Sequence, residues 1–319
     1  MVVVSQADRM RTLAHMNKYW SALGLVAVSF YAALVAGCSQ SKSVVVYTSQ
    51  DQIYAEPILA EFTKQTGIKV LPIFDSESVK TAGLVQRLIA EKENPRADIF
   101  WSNEELMARE LVGRGVLDSN RCAFVGARTR RLVINTNKIS IAEAPKSFRE
   151  LTDPKWRGKV AMAYPLYGTT AAHMTRLREV WGDEKWKEWC RDFAANKPFI
   201  VDGNSVVVKL VGAGEAWIGM TDSDDIAAGQ RNGYPIVAGS ISQDFNDEYL
   251  RIPNTVAFVA GARHPEAAQA FFEFVQSSNA LDELVRDHAL ESAAGGSSLS
   301  SSRPFAETRD VLKTIFVRE

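Results

Sequence analysis

Three carboxylates lie close together in the stretch "GMTDSDDIAAG", residues 219–229. They belong to Asp222, Asp224 and Asp225, which follow a short apolar run and precede a helix-like segment. Carboxylate oxygens are hard ligands that suit a cation, but aspartate is also a common residue at the start of a helix. We expect Asp222 and Asp224 to bind the positive part of a solute, which makes them metal-ligand candidates. We expect Asp225 mainly to favour the first helical turn through the helix dipole.

Polar residues also follow the other apolar runs of the sequence. Each of them singly is explained by helix capping, but five polar ends in one chain favour a shared binding site. The triplet Gly168-Thr169-Thr170 opens a helix-like segment and suits an anion, while Tyr167 is a candidate for the pocket rim or for ordinary packing. Besides Asp222 and Asp224, the candidate ligand-binding residues are Ser49, Gln50, Asp51, Ser102, Asn103, Tyr167, Gly168, Thr169, Thr170, Asn204 and Ser205.

Several kinds of catalytic and metal site have no counterpart in the sequence. It contains no G-x-S-x-G turn, no G-x-x-x-x-G-K-[ST] phosphate loop, no H-E-x-x-H and no C-x-x-C. His173, His264 and His288 are each isolated along the chain. We therefore expect no enzymatic activity and no resident cofactor.

Composition and charge indicate an ordinary globular protein. The chain has 319 residues, of which 46% are hydrophobic and 24% charged, which suffices for two domains. The formal net charge is -1 and the basic residues are scattered, so a nucleic-acid partner is not expected. We expect a monomer.

Strand-like and helix-like segments alternate along most of the chain. "SVVVYTS" (43–49) is β-branched, and "YAEPILAEFTKQTG" (54–67) places apolar residues on one helical face before a C-capping glycine. The same alternation continues through "ADIFWS" (97–102) and restarts at "GKVAMAYP" (158–165). This order predicts open, largely parallel α/β sheets, in which ligands bind beyond the carboxyl ends of the strands.

Two extended stretches divide the pattern into two lobes. They are "LVINT" (132–136) and "PNTVAF" (253–258), and we interpret both as crossings that form a hinge. The predicted lobe 1 consists of residues 44–134 plus 254–319, and the predicted lobe 2 of residues 135–253.

The N-terminal segment indicates export. An uncharged apolar run over residues 23–35 follows Arg9, Arg11 and Lys18, which is typical of a signal peptide and too short for a spanning helix. The run ends in "LVAGCSQSKS", which looks like a bacterial lipobox with Cys38 as the lipidated residue. We predict a signal peptide over 1–37, starting at Met1 or Met16, and a tether over 38–43. The mature chain would be a periplasmic or cell-surface lipoprotein anchored to a bacterial membrane.

The order and spacing of several segments resemble a known family. They are "VVVYTSQDQIYAEPILAEFTKQTGIKV", "GLVQRLIAEKENPRADIFWSNE", "PKWRGKVAMAYPLYGTTAAH", "DGNSVV" and "GMTDSDDIAAG". Together they resemble the solute-binding lipoproteins of bacterial ABC importers, in the branch that includes ferric-ion-binding proteins. The resemblance implies an α/β, two-lobe periplasmic-binding-protein fold of type II with a two-strand hinge, and an ABC permease in the inner membrane as partner.

The same resemblance implies iron(III) with an anion as the solute, but the chain departs from the family pattern. Iron-binding members carry adjacent tyrosines after the last strand of the second lobe, where this chain has Asp222-Ser223-Asp224-Asp225. A zwitterionic or anionic metabolite, such as a phosphonate or an amino acid, is the alternative solute.

Two other functions remain open on the same scaffold. A secreted enzyme could use Asp51, Asp222 and Asp224 as acid and base, and a ligand-loaded sensor for a membrane kinase would share every sequence feature. Cys122 and Cys190 could pair in an oxidising compartment, but no spacing pattern indicates a disulfide framework.

Overall fold

The structure is a computed structural model that describes residues 42–75, 82–239, 251–294 and 305–317. The predicted signal peptide, Cys38 and most of the tether lie outside the described residues. Among the described residues, no helix combines the length and the hydropathy needed to cross a membrane.

Strands and helices alternate as the sequence predicts. The strands are β1 (Ser43–Thr48), β2 (Lys69–Phe74), β3 (Ile99–Ser102), β4 (Leu117–Asn135), β5 (Val160–Ala163), β6 (Phe199–Val201), β7 (Ile218–Asp222), β8 (Ile236–Gly239) and β9 (Arg251–Val259). The helices are α1 (Gln52–Thr66), α2 (Ala82–Ala90), α3 (Leu106–Gly113), α4 (Gly168–Trp181), α5 (Asp183–Ala195), α6 (Asn204–Ala213), α7 (Ser223–Arg231), α8 (Pro265–Val275), α9 (Ser278–Arg286) and α10 (Phe305–Phe316). Short 3-10 turns cover Arg149–Thr152 and Pro154–Trp156.

The first half of the sheet has the order β2-β1-β3-β9-β4. Its first three strands are parallel, whereas β9 is antiparallel to both β3 and β4. Helices α1 and α8 cover one face, where Phe62 and Phe271 meet edge to face with ring centroids 5.2 Å apart. This apolar layer fixes the ends of β1 and β3, from which two of the predicted site segments begin.

Strand β4 is common to both halves of the sheet. Residues 117–129 pair with β9, and the continuation to Asn135 pairs with β7 and β8. The second half continues from β7 to β5 and β6, which are parallel to one another. The structure thus confirms the predicted α/β two-lobe fold, with β4 as the strand that passes from one lobe to the other.

The second lobe has its own apolar core. Trp181, Trp186 and Trp189 are buried there with Phe193, so the regularly spaced tryptophans belong to the core. The C-terminal helix α10 packs on α5 through Leu312, although the predicted boundaries assign residues 254–319 to lobe 1. The residue boundaries of the lobes stay a prediction.

Neither cysteine of the described residues forms a disulfide. Cys122 is half-buried on β4, Cys190 is buried in α5, and both thiols are free.

Candidate functional site

Five polar strand ends converge on one pocket of about 210 Å³. Strands β5, β6 and β7 of the second lobe end there and lead directly into helices α4, α6 and α7. The first lobe contributes the residues that follow β1 and β3. The pocket is lined by Asp51, Asn103, Arg128, Ala163, Tyr164, Tyr167, Gly168, Thr169, Thr170, Asp202, Gly203, Asn204, Asp222 and Asp225.

Helices α4, α6 and α7 begin at the pocket without a side-chain cap. The residues before them, Tyr167, Gly203 and Asp222, are extended and accept no capping hydrogen bond through a side chain. Capping therefore does not explain why these strand ends are polar. The positive ends of three helix dipoles face the pocket, which favours negative charge in a solute.

Asp222 connects three strand ends within the second lobe. Its Oδ1 accepts from Arg130 Nη1 at 2.8 Å, across the β4–β7 pair in which the two residues are direct partners. Its Oδ2 accepts from Thr169 Oγ1 at 2.6 Å and from Asn204 Nδ2 at 2.9 Å. We expected a free carboxylate from the sequence, but internal donors occupy both oxygens because Arg130 lies opposite on the neighbouring strand.

Arg130 is enclosed by the same network. It is fully buried and donates Nη1 also to Asn204 Oδ1 at 3.1 Å and Nε to His173 Nδ1 at 3.4 Å. Burial and the nearby Arg130 charge hold the pKa of His173 well below its usual value, so this imidazole is neutral. His173 therefore accepts at Nδ1 and supports Arg130.

Arg128 joins the two lobes at the floor of the pocket. Its Nη2 donates to the backbone oxygen of Asn103 at 3.2 Å, and its Nη1 forms an ion pair with Asp224. Its Nε lies 3.8 Å from Asp222 Oδ2. Asp224, expected as a free ligand, is instead buried beneath the pocket with Arg128 as counterion, and it is not part of the lining.

The two paired aspartates ionise differently. Burial opposes the ionisation of Asp222, but the charges of Arg130 and Arg128 outweigh it and lower the pKa of this carboxyl. Burial raises the pKa of Asp224 to about 7, although Arg128 opposes this, and repulsion from Asp222 adds to the rise. Asp222 is therefore the partner that stays charged at neutral pH, and Asp224 takes up a proton more readily.

Two tyrosines form an aromatic wall. The rings of Tyr164 and Tyr167 stack with centroids 6.2 Å apart and an interplanar angle of 25°. Burial is the main cause that raises the pKa of Tyr164, and the neighbouring Tyr167 adds to it, so the Tyr164 hydroxyl is protonated at neutral pH. Both rings present oxygen atoms and an apolar face to a solute.

The structure brings most of the predicted site residues together. Asp51, Asn103, Tyr167, Gly168, Thr169, Thr170, Asn204 and Asp222 line the pocket. Ser49, Gln50, Ser102, Ser205 and Asp224 do not. Ser49 instead accepts a hydrogen bond from the backbone N–H of Asn103 at 3.0 Å and so fixes the loop after β3. Gln50 accepts from Asn254 Nδ2 at 3.2 Å.

Arg128 and Arg130 are the residues of this network that the sequence analysis missed. The available signal was their alternate spacing in "RTRRLVINT", because residues two apart on a strand point to the same face. Two arginines on one face of a strand that enters the hinge require nearby carboxylates.

Oxygen atoms of Asp222, Asp224 and Asp225 lie within 4.8 Å of one another, and we call these three residues the carboxylate cluster. This separation would suit a hard cation. Arg128 already provides positive charge at two of the three carboxylates. The guanidinium of Arg128 therefore neutralises part of the negative charge of the cluster.

Comparisons with known proteins agree with the fold. The family model described as "Bacterial extracellular solute-binding protein" matches residues 43–288. An Fe(3+)-binding periplasmic protein of Serratia marcescens is 27% identical over 312 residues, which is 89% of each chain.

Solved structures give the same result for the fold. Iron-bound HitA from Pseudomonas aeruginosa superposes with a TM-score of 0.72 at 20% identity, covering 86% of this chain and 100% of that one. The periplasmic binding protein AfuA from Actinobacillus pleuropneumoniae, with fructose-6-phosphate bound, gives a TM-score of 0.71 at 18% identity over 83% and 88% of the two chains. With a family model that spans most of its length, this chain belongs to the bacterial extracellular solute-binding proteins.

Proposed function

We propose that this protein is the lipid-anchored solute-binding component of an ABC importer, which captures a small solute between its lobes and delivers it to a permease in the inner membrane. Membership of the solute-binding family supports transport rather than catalysis. The periplasmic location named for the Serratia marcescens relative supports export. The protein acts as a monomer and is held at the membrane through Cys38.

The observation that carries the proposal is the origin of the pocket lining. Asp51 and Asn103 come from the first lobe, whereas the Tyr167–Thr170 turn and Asn204 come from the second. Arg128 lies between them on the strand that both lobes share. A solute that contacts both sides favours the closed arrangement, so binding and hinge closure are coupled.

Iron(III) with an anion is the solute that the relatives' names favour. Tyr164 and Tyr167 offer phenol oxygens, and Asp51, Asp202 and Asp225 offer carboxylates along the same lining. These are hard donors suited to iron(III), and the uncapped starts of α4 and α6 suit the anion.

A zwitterionic or anionic metabolite, such as a phosphonate or an amino acid, is the alternative solute. The guanidinium of Arg128 at the pocket floor favours it, since arginine binds carboxylate and phosphate groups in a fixed geometry. The acidic residues of the lining would then receive a cationic group.

Calorimetric titration with ferric citrate, citrate, inorganic phosphate and an aminoalkyl phosphonate tests the proposal. We expect one of these to bind saturably and, at a free concentration 100 times its Kd, to stabilise the fold by about 2.7 kcal/mol. Tyr167→Phe removes one phenol but keeps the ring, so it should weaken binding of ferric citrate and spare a metabolite.

Tyr167→Ala should weaken either solute, because it removes part of the pocket wall. Ile141→Ala is the matched control, since Ile141 is an exposed apolar residue outside the lining. If no member of the panel binds, or Tyr167→Ala binds as tightly as the parent, the proposed pocket is wrong.

A further inference from the structure

The carboxylate cluster has a geometry that suits a cation, but the side chain of Arg128 already contacts two of its three carboxylates. We propose that Arg128 sets the charge selectivity of the pocket: its guanidinium replaces a cation at Asp222 and Asp224, closes these two carboxylates to metal ions and turns the pocket floor toward an anionic group. The inference rests on the proposed function, since it names the charge of the solute group that reaches the floor.

Burial makes an internal counterion necessary. Asp222 and Asp224 have side chains only 1% exposed, and the Arg128 side chain is 3% exposed. Two buried carboxylates at this separation can both be ionised only with nearby positive charge. Arg130 supplies one such charge, and it pairs with Asp222. For Asp224 the counterion is Arg128.

Asp224 and Arg128 each keep one polar atom that makes no hydrogen bond. Asp224 Oδ1 and Arg128 Nε are buried and have no hydrogen-bond partner in the structure. The oxygen is a ligand atom that a metal ion would use if Arg128 were removed. The Nε–H belongs to a side chain that lines the pocket, where it can donate to an anion together with the uncapped helix starts.

Arg130 does not have this role, although it is two residues away on the same strand. Its Nη1 hydrogens are accepted by Thr169, Asn204 and Asp222, and its Nη2 has no hydrogen-bond partner. Arg130 is nevertheless fully buried and is not part of the pocket lining, so this spare donor does not reach a solute. Arg128, by contrast, contacts the pocket, the first lobe and the cluster at once. Selectivity therefore depends on Arg128.

Terbium(III), a hard trivalent cation whose luminescence is sensitised by nearby tyrosines, is the probe for the cluster. The parent should show no saturable terbium binding that depends on Asp224. Arg128→Gln should bind terbium at least about tenfold more tightly, because the freed carboxylates need a charge-assisted partner. Arg128→Lys keeps the positive charge and should resemble the parent, and the double variant Arg128→Gln/Asp224→Asn should lose the gain.

Inorganic phosphate is the probe for the anion half. The double variant removes a buried ion pair as a unit, which is tolerated better than removal of one partner. Its phosphate affinity should fall about tenfold or more relative to the parent, because the donor at the pocket floor is lost. The phosphate affinity of the double variant therefore tests the role of Arg128 even if Arg128→Gln alone fails to fold.

Three results would overturn the inference: terbium binding by the parent that Asp224→Asn abolishes, a folded Arg128→Gln variant with no gain, or unchanged phosphate affinity in the double variant. A parent that takes up none of the candidate solutes while Arg128→Gln gains terbium would refute the proposed function and leave the role of Arg128 standing.

Discussion

Asp222 and Asp224 are two positions apart, but their surroundings assign them different tasks. Asp222 accepts hydrogen bonds from Arg130, Thr169 and Asn204 and so holds three strand ends in register. Asp224 has Arg128 as its counterion and keeps one oxygen without a partner. At the residue scale the site is therefore a network of paired charges, and only part of it faces the solute.

Asp222→Asn should destabilise the fold by about 3 kcal/mol, because it leaves Arg130 buried without its cross-strand charge. Urea unfolding measures this loss. Asp202→Asn is the matched control, since Asp202 lines the same pocket but is exposed, and its effect should stay within about 0.5 kcal/mol. Equal stability of the two variants would show that the network around Asp222 is not structural.

Glu104 should make the stability of the fold depend on pH. It is fully buried at the start of α3, and burial raises the pKa of its carboxyl to about 8, against hydrogen bonds from the backbone N–H groups of Met107 and Leu106. A carboxyl with a raised pKa contributes stability that is full below its unfolded pKa and is lost as pH rises through about 8.

Glu104→Gln should therefore reduce the fall in unfolding free energy between about pH 5 and pH 8, as measured by urea unfolding at several pH values. Glu143→Gln is the control: hydrogen bonds from Ser140 lower the pKa of this exposed carboxyl, so its contribution lies at more acidic pH. An unchanged slope for Glu104→Gln would mean that Glu104 is ionised throughout this range.

The charges of the site were visible in the sequence, but their pairing was not. The carboxylate cluster identified the right strand end, and Thr169 and Asn204 were recognised as neighbours of the same pocket. Arg128 and Arg130 lie more than 90 positions from their aspartate partners, because β5 and β6 lie between β4 and β7 in the sequence. Local sequence carries no sign of that register.

At the scale of elements, local patterns predicted what depends on local physics. Alternation and capping located β1 and α1 closely, and Gly67 ends α1 in the left-handed conformation, as expected for a C-cap. The full length of β4 was missed, because the polar stretch 118–121 does not look like a strand. It is one because β9 offers a long antiparallel partner.

Gly126 lies in the irregular part of β4, and its substitution tests how tightly this part of the strand is packed. The register of β4 against β9 shifts between Phe124 and Ala127, and Gly126 has a φ of 78° there. A Cβ at this position would also lie 2.8 Å from the backbone oxygen of Ser292. Gly126→Ala should therefore cost both backbone strain and a steric clash.

Gly158→Ala isolates the strain, because Gly158 has a φ of 68° and open space around its Cα. We expect Gly126→Ala to lower the free energy of unfolding by about 1 to 3 kcal/mol more than Gly158→Ala does, as measured by urea unfolding. Similar losses would mean that the close approach of the 290–292 segment does not constrain β4.

At the scale of the whole molecule, the lobes contact one another also outside the pocket. Arg231 of α7 donates to the hydroxyl of Tyr54 in α1 at 2.6 Å. The alternation of strands and helices was enough to predict two lobes, whereas the position of α10 on the second lobe required the three-dimensional structure.

Membrane attachment is a separate property of the whole chain. Cys38→Ser should yield a folded protein that is unanchored or unprocessed, because the described fold begins with β1 at Ser43. Membrane fractionation detects the change, and Cys122→Ser, which alters a free thiol on β4, should stay with the membrane. If the Cys38→Ser protein remains in the membrane fraction after signal removal, the predicted lipidation is wrong.

Native mass spectrometry of the protein purified without denaturation tests most directly whether a small solute occupies the pocket. The account predicts a bound mass that disappears on denaturation, persists in Ile141→Ala and is lost or strongly reduced in Tyr167→Ala, which removes a wall of the pocket. A protein that carries and accepts no solute, or a solute retained equally by Tyr167→Ala, would contradict it.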